Sequence, residues 1–109
     1  MAVVNVRKTE LKKIGFPDFQ GWANNPNHVY IGRNMSFYVP GTTASKWQNP
    51  FSMKKYSREQ CLVLYENYIR STPELLDSLP ELKGKILGCW CHPDSCHGDV
   101  LLRLIEEFA

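Results

Sequence analysis

The chain of 109 residues has no long hydrophobic run. Nothing in it approaches the roughly 20 consecutive apolar residues that a helix needs to cross a bilayer, so no membrane association is expected. Its opening, MAVVNVRKTE, lacks the apolar core of a secretory signal, and a cytoplasmic protein is expected. Neither charge is in excess: 13 Lys and Arg face 11 Asp and Glu, a net charge of +2. That balance does not indicate a nucleic-acid partner, and the cluster Arg7, Lys8, Lys12 and Lys13 reads first as a solvated basic face. Cysteine and histidine are scarce, at four and three, and no C-x-x-C pair occurs. In a reducing compartment those cysteines suit free thiols, metal ligands or redox groups better than a disulfide framework. The length admits one core and not two, so residues 1–109 are expected to form a single domain. At 43% hydrophobic and 22% charged, the composition is that of a folded globular chain.

Apolar periodicity places the elements. Ala2 to Val6 (AVVNV) reads as a buried strand ended by Arg7-Lys8. Gly15 to Asn27, with two prolines, two glycines and Asn24-Asn25-Pro26-Asn27, reads as irregular chain closing in a turn. His28 to Gly32 is a second short strand, with Arg33 directly after it. The polar stretch from Asn34 to Met53 is long for a small domain, which is the mark of a loop that binds or covers something. Ser57-Arg58-Glu59-Gln60 has the form of a capping box, and Cys61, Leu62, Leu64, Tyr65, Tyr68 and Ile69 follow at helical spacing. Cys61 belongs to that apolar face and reads as inert packing. Thr72-Pro73 opens a short helix over Glu74 to Leu79, stopped near Pro80. Lys83-Gly84 turns into a third strand, Lys85 to Trp90, and Val100, Leu101, Leu104, Ile105 and Phe108 mark a last amphipathic helix. Because the third strand lies between helical segments, the expected fold is α/β, a small layered Rossmann-like domain with a mostly parallel sheet flanked by helices. Ligands of such sheets collect where the carboxyl ends of strands turn into helices.

The string KILGCWCHPDSCHGDVLL sits at one such turn and holds three cysteines and two histidines. Cys89 and Cys91 are two apart and leave a strand on one face. Asp94-Ser95 are suited to cap a helix that starts near Cys96. A thiol there meets the positive end of the helix dipole, which lowers its pKa and makes Cys96 the candidate nucleophile. His97 or His92 would be its base, Asp99 would orient a histidine, and Gly98 would let a ligand approach closely. Zinc is the competing reading, with four ligands drawn from Cys89, Cys91, Cys96, His97 and His92. The spacing C-x-C-x4-C-H departs from the paired arms usual for that metal. A thiol redox role for Cys89, Cys91 and Cys96 is a third reading, and plain packing of Cys89 in the sheet is the structural alternative.

The strings VVNVRK, VYIGR, SKWQNPF, LKGKILGCWC and PDSCHGDVLL together resemble the domain of unknown function 4326 family, from Val3 to about Leu104. Its members are small proteins, often encoded by bacteria and phages, and the family name assigns no activity. The resemblance implies that the shared positions are Ile31, Gly32 and Arg33, then Asn49, Pro50 and Phe51, then Cys89, Trp90, Cys91, Pro93, Cys96, His97, Gly98 and Asp99. A weaker similarity is to another uncharacterised α/β family with a CHR string, where Gly98 replaces the arginine. These polar strings fit one site: Arg33 as an anion clamp, Asn49 reading a base, ribose or amide edge, and Trp47 or Phe51 stacking on an aromatic ligand. The expected function is binding of a small phosphorylated, nucleotide-like ligand, with a thiol-dependent transfer or hydrolysis by Cys96 and His97. The alternatives are a zinc-stabilised binding module and a thiol redox protein.

Overall fold

The computed structural model describes residues 2–51, 54–90 and 96–108. Cys91 and His92, two of the sequence candidates, lie outside the described residues, as do Pro93, Asp94 and Ser95. The chain runs through β1 (Ala2–Asn5), α1 (Lys8–Lys13), α2 (Phe19–Ala23), β2 (His28–Tyr30), α3 (Arg58–Arg70) and α4 (Pro73–Ser78). A 3-10 turn over Leu79–Leu82, β3 (Ile86–Cys89) and α5 (His97–Phe108) complete it.

The three strands form one parallel sheet in the order β1-β3-β2. Val3, Leu87 and Val29 are in register, as are Val4, Gly88 and Tyr30. Alternation along a strand sends these two rungs to opposite faces. The first rung packs with Tyr65 and Ile69 of α3 and with Leu101, Leu104 and Ile105 of α5 in the larger core cluster. Val4 and Tyr30 pack against Val6, Leu11, Phe19 and Trp22 on the side of α1 and α2. The chain is thus a small mixed helix-and-strand domain whose described strands are all parallel.

Local signals explain the helices. The capping box of α3 is formed in full, with Gln60 N–H donating to Ser57 Oγ at 3.1 Å and Ser57 N–H to Gln60 Oε1 at 3.0 Å. Pro73 occupies the first turn of α4, where its missing N–H costs nothing. The α-helix ends at Ser78, just before Pro80 as expected, and a 3-10 turn through the proline then buries Leu79 and Leu82. The stretch read as irregular contains α2, capped by Asp18, whose carboxylate accepts from Gly21 N–H at 2.8 Å. The long connection after β2 packs against α3, where the Tyr65 hydroxyl donates to the Trp47 carbonyl at 2.6 Å. Thr42 is buried within it, donating to the Val39 carbonyl at 2.9 Å and accepting from Met35 N–H at 3.1 Å.

Candidate functional site

Parallel strands end on one edge, and here that edge opens into a cleft of about 680 Å³. Each strand contributes to its lining: Arg7 follows β1, Gly32 and Arg33 follow β2, and Cys89 and Trp90 stand at the end of β3. The long connection adds Asn49, Pro50 and Phe51. The first turns of α3 and α5 add Arg58 and Cys61, and His97, with Cys96 just before it.

Charge is one-sided. Arg7, Arg33, Lys54 and Arg58 all line the cleft, and no carboxylate does among the described lining residues. The outer surface of α3 and α5 carries both signs. Arg70 pairs with Glu66 at 3.0 Å and Glu107 at 2.6 Å, and Arg103 pairs with Glu66. The first turns of α3 and α5 also bring the positive ends of two helix dipoles to the cleft.

The backbone after β2 is held by a short relay. Trp90 Nε1–H donates to the Tyr30 hydroxyl at 2.8 Å, which donates to the Arg33 carbonyl at 2.6 Å. A Cβ at position 32 would collide with the Tyr30 ring, so Gly32 is what lets the chain fold back over it. Asn49 Oδ1 accepts from Phe51 N–H at 2.9 Å, an Asx turn that presents Pro50 and Phe51 to the cleft.

Cys89 and Cys96 meet at its floor, with their sulfurs 3.2 Å apart. Asp99 caps the start of α5, its carboxylate accepting from Cys96 N–H at 3.0 Å, and lies outside the lining of the cleft. The expected acidification of Cys96 is reversed. Hydrogen bonding to Cys89, and after it burial, raise the thiol above its ordinary range, against the lowering from the Gly98 backbone. His97 Nε2 lies 2.7 Å from the Ile31 carbonyl, which can only accept, so Nε2 carries the proton of the neutral ring and Nδ1 its lone pair. Burial lowers the His97 pKa, ahead of opposing effects from the Ile31 carbonyl and Asp99. The edge of the ring packs against Tyr65 at 5.0 Å between centroids.

The structure thus brings Arg33, Asn49, Cys96 and His97 together and removes two expected ligand contacts. Trp47 is 2% exposed and belongs to the core, away from the cleft lining. Gly98 serves packing: a Cβ there would stand 2.9 Å from Val3 Cγ2 and 3.0 Å from Ile31 Cδ1. Of the zinc set, Cys89 and Cys96 adjoin, while His97 commits Nε2 to a carbonyl. Among the described residues no three His, Cys, Asp or Glu side chains gather as a metal cluster. Sequence reasoning missed Lys54 and Arg58 and left Arg7 in a solvated face. A signal existed for Arg58, since a cation in the first turn of α3 opposes the helix dipole.

A family model described as "Domain of unknown function (DUF4326)" matches residues 17–107. An uncharacterised protein of Acanthamoeba polyphaga mimivirus is 42% identical, over 73% of this chain and 70% of that protein. An uncharacterised 12.4 kDa protein of Enterobacteria phage T4, from the nrdA-td intergenic region, is 32% identical over 56% of this chain and 60% of its own length. No solved structure matches.

Proposed function

The chain belongs to the domain of unknown function 4326 family, and from its own cleft we propose that it binds a small phosphorylated, nucleotide-like ligand. The observation that carries this reading is the convergence of four cationic side chains, Arg7, Arg33, Lys54 and Arg58, on a cleft at the carboxyl edge of a parallel sheet. Arginine forks suit phosphate oxygens, and the positive ends of the α3 and α5 dipoles favour the same charge. Phe51 and Trp90 offer ring surface for a base. In this reading the sheet between its two helical sides is a Rossmann-like layering in a cytoplasmic protein, with the ligand outside the strand ends.

The reading is first one of binding. A thiol held protonated by its neighbour and by burial is a poor resting nucleophile, so Cys96 is not assigned that role. If a transfer or hydrolysis follows binding, neutral His97 with its lone pair at Nδ1 is the proton acceptor that would serve it.

Calorimetric titration with ADP, GDP, CDP and UDP, with adenosine and inorganic phosphate alongside, tests the reading. At least one diphosphate should bind and adenosine should bind far more weakly. Loss of one charged hydrogen bond, worth about 1.5–3 kcal/mol, should weaken that diphosphate roughly tenfold or more in Arg33→Ala. Absence of binding by all the nucleotides and phosphate, or equal affinity for adenosine and ADP, overturns it.

A further inference from the structure

We propose that Cys89 and Cys96 form a redox-active pair, a dithiol that an external disulfide converts to an intramolecular disulfide. The two sulfurs are 3.2 Å apart, so closing the bond to the usual ~2.05 Å asks for about 1.1 Å of approach. Each cysteine has a firm backbone anchor. Cys89 ends the central strand, where its carbonyl accepts from Val6 N–H at 2.9 Å, and Cys96 is fixed at the start of α5 by Asp99. Although 1% and 3% exposed, both side chains line the cleft, which gives a small reagent its path. Cys61 makes the contrast: it too is buried, but its sulfur contacts the carbonyls of Phe51 at 3.7 Å and Tyr56 at 4.0 Å and no second sulfur among the described residues.

The chemistry is thiol–disulfide exchange with a disulfide such as oxidised glutathione. A thiolate of the pair attacks one sulfur of the reagent, forming a mixed disulfide and expelling a glutathione thiolate, which takes up a proton. The second cysteine, having lost its proton to solvent, attacks the protein sulfur of that mixed disulfide and expels the second glutathione. The protein loses two protons and two electrons, and one oxidised glutathione becomes two reduced. Because mutual hydrogen bonding and burial hold the proton on Cys96, the exchange should accelerate as pH is raised. None of this depends on the cleft taking an anion.

The test treats the unmodified folded protein with oxidised glutathione, blocks the remaining thiols, and maps the peptides by mass spectrometry before and after a reducing agent. The expected product is a Cys89–Cys96 link, lighter by two hydrogens and reversed by reduction. Cys89→Ser, shown to be folded by circular dichroism, should instead stop at a glutathione adduct on Cys96. A link running through Cys91, adducts without any link, or retention of both thiols in the folded wild type overturns the proposal. Cys61→Ser should leave the product unchanged, and its disappearance there counts equally against the pairing.

Discussion

The two faces of the sheet bury their strands with different materials. Under α3 and α5 the packing is largely aliphatic, with Leu79, Leu82, Leu87, Leu101, Leu104 and Ile105 at 1% exposure or less. Under α1 and α2 it is mainly aromatic, with Phe19, Trp22 and Tyr30 closing over a strand whose facing residue is Gly88. A Cβ at Gly88 would run into the Trp22 ring and lie 2.7 Å from Val6 Cγ1. Helices of 13 and 12 residues bring a deep layer of side chains to the first face, whereas helices of six and five residues can offer only a few large rings to the second. The comparison teaches that one face is sensitive to lost volume and the other to added volume.

The largest effect should come from the aliphatic face. Leu101→Ala should cost about 2–5 kcal/mol, read as a lower denaturant midpoint at unchanged slope, because its buried neighbours collapse only partly into the space left. A cost below ~1 kcal/mol would mean that face repacks freely and would erase the distinction. Next, Gly88→Ala should destabilise by about 1–3 kcal/mol through overpacking against Trp22 and Val6. Recovery of the lost stability in a Gly88→Ala, Trp22→Phe double variant would locate the strain on the aromatic face, and its absence would sever the link.

The smallest effect concerns acid. The folded pKa of His97 lies below its unfolded value, so the unfolded chain takes up the proton first as pH falls. Its contribution is therefore fully present above the unfolded value of about 6.5 and is lost progressively as pH falls toward the folded one. His97→Gln should flatten the stability profile in that window relative to wild type. An unchanged slope would show that other groups carry the acid response.

How much of this was written in the residues follows from the range of each interaction. The capping box at Ser57 and the apolar spacing behind it are local, and both appear as read. The three strands were legible from β-branched and apolar runs, although β2 is shorter than the run from His28 to Gly32. Helix α2 was hidden because five residues carry less than two turns of periodicity, leaving Asp18 as cap and the Phe19–Trp22 pair as the faint signal. The failures at Trp47 and Gly98 have one cause: both are polar-site residues by company and core residues by position. Trp47 is drawn inward by a bond between its carbonyl and a tyrosine 18 positions away, and Gly98 by contact with Val3 and Ile31. The acidity expected of Cys96 failed in the same way, since the helix dipole is readable from spacing while the approach of Cys89 is set by tertiary packing.

The central position of β3 has a consequence for how the chain acquires its shape. β1 and β2 never pair with each other, and both wait for Ile86–Cys89, made last of the three. A ribosome that has delivered only the first 80 or so residues has therefore released two strands with no partner, and the sheet can assemble only after most of the chain has emerged. The residue that closes this long wait is Cys89, so the same step that zips the sheet together also assembles the cleft.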